Sequence, residues 1–157
     1  MSEPRTATER LAELGLDLPR TVTPIGSYQP ARRHGDLIHT SGQLPMVDGA
    51  LVQTGKVGDE VSEQQANELA RIAGLNALAA AADVAGGLEQ IAGVVKVVVF
   101  VASADGFTAQ PAVANGASDL FAAVFADAGV HARSAVGVSV LPLNAPVEVE
   151  IVATTAS

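Results

Sequence analysis

The run His131-Ala132-Arg133-Ser134-Ala135-Val136-Gly137-Val138-Ser139-Val140-Leu141-Pro142, continued by Leu143-Asn144-Ala145-Pro146-Val147-Glu148-Val149-Glu150-Ile151-Val152-Ala153, decides how the chain folds. Both halves alternate. Val136, Val138 and Val140 share one face of the first half, and Val147, Val149 and Ile151 share one face of the second. A period of two marks a strand with one buried face. The short link from Pro142 to Pro146 predicts that the two strands form a hairpin. Arg133, Ala135, Gly137 and Ser139 occupy the other face of the first strand, with Glu148 and Glu150 on the returning one. That face reads either as an ordinary solvated surface or as the wall of a polar pocket.

The segments upstream supply a third core strand and two helices. Val94-Val95-Lys96-Val97-Val98-Val99-Phe100-Val101 is apolar almost throughout, which fits a central strand covered on both faces. Ser62 followed by Gln65 matches a capping box, and Gly86-Gly87 supplies the stop. Between them Ala66, Leu69, Ile72, Ala73, Ala77 and Ala80 form an Ala-rich stripe that lets a helix sit close to a sheet. A second helix is predicted from Ala109 to Ala128, with Pro111 confined to its first turn and Gly129 as the stop. Its Asn115-Gly116 pair is awkward, because Gly costs about 1 kcal/mol relative to Ala inside a helix. Either the helix begins later with Asn115 as its cap, or Asn115 points into a cavity.

Nearer the N-terminus, residues 1–20 form an appended segment. Thr8 is predicted to cap a short helix through Leu11 and Leu14, stopped by Gly15. Pro24 to Arg32 is an extended, turn-rich approach that carries Tyr28, the sole tyrosine, in a loop. His34-Gly35-Asp36 turns the chain into Leu37–Pro45, giving a first hairpin. Gly42, directly after Ser41, permits close approach of backbone or ligand. Residues 46–61 read as a surface loop.

The order is therefore β-β-α-β-α-β-β in one domain, residues 21–157, behind the N-terminal helical extension. The economical layout is α+β, one sheet with both long helices on one face. Its other face is then left bare and calls for self-association.

Composition narrows the functional classes. The 157 residues, 48% hydrophobic, suffice for one core, which must be built from Val, Ala, Leu and Ile because aromatics make up only 3%. The absence of Cys removes disulfides, thiolate metal sites and a Cys nucleophile. His34, His39 and His131 lack the spacing of a metal site. A net charge of −8 repels nucleic acid, and Arg32-Arg33-His34 is too small a patch to offset it. There is neither a leader pattern nor a membrane-length apolar run, so a soluble cytoplasmic protein is expected, without membrane or nucleic-acid partners.

Tyr28, Thr40-Ser41-Gly42-Gln43-Leu44-Pro45, Asn115-Gly116-Ala117-Ser118-Asp119, Ala132-Arg133-Ser134, Leu141-Pro142 and Val147-Glu148-Val149-Glu150 stand in an order that resembles the YjgF/RidA family. The likeness is to its longer branch, also labelled endoribonuclease L-PSP, and runs from about residue 24 to 153. The resemblance implies a chorismate-mutase-like α+β fold, assembled as a homotrimer with ligand clefts between subunits. It also implies hydrolysis of reactive 2-imino or enamine acids to 2-keto acids and ammonia, without cofactor or metal. Arg133 would hold the substrate carboxylate, Glu148 would orient or activate water, and Tyr28, Ser41 and Asn115 would line the cleft.

Two departures stand out. Ala135 replaces a Cys common in the RidA branch, and the Asn115-to-Arg133 spacing is one residue longer than there. A non-catalytic trimer binding a small carboxylate metabolite is the competing class, which the same Arg133 would serve without a base. An endoribonuclease is disfavoured by the acidic charge, the single Tyr and the lack of a His pair.

A hairpin pairing Val140 with Val147 would place Ser139 opposite Glu148. Arg133 lies six positions from Ser139, roughly 20 Å along an extended strand. One chain would then be unable to bring both groups onto one small acid, and an intersubunit cleft is expected.

Overall fold

The computed structural model describes residues 3–21, 23–24 and 26–156; Ile25, inside the predicted turn-rich approach, lies outside them. The chain runs α1 (Ala7–Glu13), β1 (Ala31–His34), β2 (Leu37–Thr40), β3 (Met46–Val47), β4 (Ala50–Leu51), α2 (Glu63–Ala85), β5 (Ile91–Ala102), α3 (Gln110–Phe125), β6 (Ala132–Val138) and β7 (Val147–Thr155). Five strands form one mixed sheet in the order β1-β2-β7-β5-β6, and β3 with β4 makes a separate small hairpin. The latter replaces part of the predicted surface loop. Its turn is Asp48-Gly49, both at positive φ, which is the strongest short-range hairpin signal available to a sequence.

The predicted hairpin between the last two strands does not form. β6 pairs parallel to β5, with Val97 opposite Arg133, while β7 runs antiparallel to the other edge of β5, with Phe100 opposite Glu148. Thus β5 occupies the slot between the two strands that the sequence joins. Parallel pairing requires a crossover, and α3 supplies it between β5 and β6. Residues 139–146 then carry the chain past the end of β5 to β7, through a turn with Leu143 and Asn144 at positive φ.

Both long helices lie on one face of this sheet. Ser62 accepts from the Gln65 N–H, and the Gln65 side chain accepts from the Ser62 N–H, completing the predicted capping box of α2. Gly86, at φ 95°, ends it in the left-handed cap conformation. α2 packs against α3 at very short range, with Gly74 beside Ala117 and Gly116 beside Asn67. A Cβ on Gly116 would lie 1.9 Å from the Asn67 carbonyl oxygen, so Gly116 is there because the two backbones touch. The helix begins well before it, at Gln110, so Asn115 is neither a cap nor aimed into a cavity; it is exposed.

Under the helices, Val97, Val99 and Val101 of β5 and Val147, Val149, Ile151 and Ala153 of β7 are buried together with Phe121 and Ile38. At the N-terminus the cap of α1 is Thr6, paired with Glu9, rather than Thr8. Thr8 instead donates its backbone N–H and its hydroxyl to Glu89, tying α1 to the turn before β5. Leu11 is buried in the core. No helix among the described residues is long and apolar enough to cross a membrane.

Candidate functional site

Strand register places the two central candidates on opposite faces of the sheet. Residues directly paired across a sheet share a face, and the faces alternate along a strand. Arg133 is paired with Val97, and Glu148 with Phe100. Val97 and Phe100 are three positions apart on β5, so Arg133 points to the helix side and Glu148 to the open side. The polar wall that the sequence predicts across Arg133, Glu148 and Glu150 is therefore not one wall. Alternation holds within each strand, but β5 separates the two strands, so their faces are set by β5 and not by each other.

Glu148 belongs to a cleft whose walls come from three segments, one with Pro24 and Tyr28, one at residues 42–46 and one with Pro142 and Leu143. Beyond β2 the chain forms a bridge in which Gln43 N–H donates to Val149 O at 2.8 Å and Val149 N–H donates to Gln43 O at 2.9 Å. That bridge lays Gly42 directly over the Glu148 side chain. A Cβ at Gly42 would fall 2.0 Å from Glu148 Oε1, so only glycine leaves room for the carboxylate. The predicted close approach at Gly42 is real, and the group that approaches is Glu148. Pro24, Tyr28, Leu44, Met46 and Leu143 line the rest of a cleft that encloses about 570 Å³ including its open mouth. Glu148 is half-buried among these largely apolar groups. Burial, and to a lesser degree the neighbouring Glu150 charge, push its carboxyl above the usual carboxylate range.

Ser41 has a different place from the one expected. Its hydroxyl donates to the Gln29 carbonyl at 2.6 Å, and its N–H donates to Pro30 O at 2.8 Å. Ser41 thus fastens the loop that presents Tyr28 to the cleft and is not itself part of the lining.

Arg133 heads a second polar cluster, built where β6 passes under α3. Its Nη1 donates to Asn115 Oδ1 at 2.7 Å and to Ser118 Oγ at 3.1 Å. Asn115 and Ser118 are three apart, so they share a helix face. Behind Ser118 stands His131, with Nε2 2.8 Å from Ser118 Oγ and Nδ1 2.6 Å from the Gly129 carbonyl oxygen. The imidazole also meets the Phe121 ring edge-on, with centroids 5.9 Å apart. Asn115 and Arg133 are brought together as the sequence suggested. Nothing in the sequence marks Ser118 and His131 as site residues, since thirteen positions and a helix-to-strand junction separate them. The residue-by-residue signal was only that Ser118 follows Asn115 at helical spacing.

A mixed five-stranded sheet backed on one side by two long helices, with a carboxylate cleft on the open side, defines a protein of the chorismate-mutase-like α+β class. The family model described as "YjgF/chorismate mutase-like, putative endoribonuclease" matches residues 8–155, and the chain belongs to this YjgF/RidA family. It is 40% identical to Protein TCP17 of Trypanosoma cruzi over 141 residues, 89% of this chain and 88% of that one. It is 31% identical to a 2-iminobutanoate/2-iminopropanoate deaminase of Dermatophagoides farinae over 136 residues, 86% of this chain and 91% of that one. A solved Shewanella oneidensis structure described as an endoribonuclease in the same words superposes with a TM-score of 0.92 at 31% identity, covering 96% of this chain and 99% of that one.

Proposed function

We propose that the protein hydrolyses reactive 2-imino or enamine acids to 2-keto acids and ammonia, in clefts completed between the subunits of a homotrimer. The observation that carries this reading is the Glu148 carboxyl, half-buried against Gly42 with its proton affinity raised by burial. A carboxyl shifted upward is a better general base at neutral pH than an ordinary one. Water adds to the carbon of the protonated imine while Glu148 takes its proton, giving a neutral carbinolamine. Glu148 returns that proton to nitrogen, the C–N bond breaks, ammonia leaves, and the hydroxyl proton passes to the departing ammonia as the carbonyl forms. The sum is protonated imine plus water to keto acid plus ammonium.

The substrate carboxylate falls to Arg133, whose planar fork suits bidentate pairing. Because Arg133 and Glu148 face opposite sides of one sheet, a shared site draws each from a different copy. The half-exposed open face, with Val136 and Phe100 beside Glu148, supports self-association. The match to a named imine deaminase at 31% identity supports the reaction class. The apolar cleft lining equally suits a carrier that binds a small carboxylate without turning it over.

The test generates 2-iminobutanoate in solution and lets hydrolysis compete with a trapping nucleophile. Diversion of the imine to 2-oxobutanoate by the wild type, lost in Glu148→Gln, supports the deaminase. Binding of 2-oxobutanoate with no acceleration of hydrolysis supports the carrier.

A further inference from the structure

We infer that His131, acting through Ser118, is the positioning group for Arg133, so that the carboxylate-binding fork is aimed by a three-residue relay. The inference rests on the reading of Arg133 as the carboxylate-holding residue. It starts from Gly129 O, which can only accept. His131 Nδ1, 2.6 Å away, must therefore carry a proton. In the neutral ring Nε2 is then an acceptor, and the Ser118 hydroxyl donates to it across 2.8 Å.

With its proton committed to His131, Ser118 Oγ presents lone pairs to Arg133 Nη1 at 3.1 Å. The opposite arrangement, an imidazolium donating to Ser118, would bring two cations onto one oxygen. Ser118 and Asn115 both hold Nη1. Among the described hydrogen bonds neither Nη2 nor Nε of Arg133 has a protein partner, which leaves the side of the fork that grips a carboxylate with two parallel bonds.

The ring is itself held in place. Its edge-on contact with Phe121 and the bond to Gly129 fix it from the core side. Gly129 is buried and packed against the Phe121 backbone, where an added Cβ would lie 2.1 Å from the Phe121 carbonyl oxygen. The end of α3 and the start of β6 thus form one rigid seat for the imidazole. A side chain free to rotate would give Ser118 no fixed direction in which to point its proton.

The experiment measures binding of 2-oxobutanoate and of its uncharged amide to the assembled wild-type protein and to four variants. Arg133→Ala is expected to abolish the preference for the acid over the amide. Ser118→Ala and His131→Phe are each expected to weaken acid binding about 5-fold, as for one lost hydrogen bond, leaving amide binding in place. Ser118→Thr, which keeps the hydroxyl, is expected to restore acid binding. Nitrogen NMR of the imidazole is expected to show the neutral ring protonated at Nδ1.

Acid binding unchanged in either Ser118→Ala or His131→Phe overturns the inference, as does equal loss of acid and amide binding. A neutral ring protonated at Nε2 overturns it as well. If Arg133→Ala keeps the preference, or the wild type does not bind 2-oxobutanoate, the reading of Arg133 falls and the inference falls with it. Failure confined to Ser118 and His131 leaves that reading standing.

Discussion

On the helix side of the sheet, Val97, Val99 and Val101 are sealed by α2 and α3 at 0% exposure; on the side behind them, Val136 is 43% exposed and Phe100, Glu148 and Val152 are only partly covered. The same strands make both faces, with the same alternation. What differs is who does the covering. The helix face is satisfied within the chain, by an Ala-rich helix packed so closely that Gly116 meets the backbone of α2. The open face carries apolar groups interleaved with Lys96, Glu148 and Glu150, a composition between a core and a surface. A sheet face of that kind suits an interface that also houses chemistry.

The sharpest way to break this contrast is to disturb the sealed face. Gly116→Ala would drive a methyl group into the Asn67 carbonyl, and a loss of about 2–3 kcal/mol is expected in urea unfolding. Val99→Ala, a cavity at a fully buried site, is expected to cost about 2 kcal/mol at any protein concentration. By contrast, under the proposed self-association Val136→Ala should lower stability in a concentration-dependent way, because the open face would be covered by other copies. A concentration-independent loss at Val136 would remove the distinction between the faces.

Smaller effects are expected at the cleft. Gly42→Ala displaces the Glu148 carboxylate and should abolish imine hydrolysis while costing only about 1 kcal/mol of stability, since the displaced group can turn toward the open cleft. The smallest effect is linked to pH. Glu148 has its folded-state pKa raised by burial and by Glu150, so its ionised form is disfavoured in the folded protein. The cost is absent when the group is protonated in both states and grows as pH rises through the folded-state value. Glu148→Gln should therefore melt higher than the wild type at neutral pH, the gap closing as pH falls below the ordinary carboxylate range. A gap that widens in acid would reverse the assignment.

Much of this was legible in the sequence where the signal is local. The Ser62–Gln65 box, the Gly86 stop and the apolar run through Val97 each depend on a few neighbouring residues, and each element formed as predicted. The pairing of the last two strands is not local. Alternation tells which residues share a face but not which strand lies alongside. The eight residues 139–146 can close a hairpin or step across β5, about 10 Å for two strand spacings. The shorter route would join Arg133 and Glu148 on one face, which the register of both strands against β5 forbids. Asn115 and Arg133 were recognisable from family motifs. Ser118 and His131 acquire meaning only when α3 is laid over β6, because their relation is a hydrogen bond and not a spacing.

If the sheet keeps Arg133 and Glu148 apart within a chain, the most direct measurement is complementation between two inactive variants. Arg133→Ala and Glu148→Gln, each devoid of imine hydrolysis alone, are unfolded together in equal amounts and refolded into mixed assemblies. With random assortment around a head-to-tail ring, about a quarter of clefts regain both native groups. Recovery of hydrolysis near that fraction is the predicted result. No recovery, with mixed assemblies shown to have formed by mass, would contradict a site shared between copies.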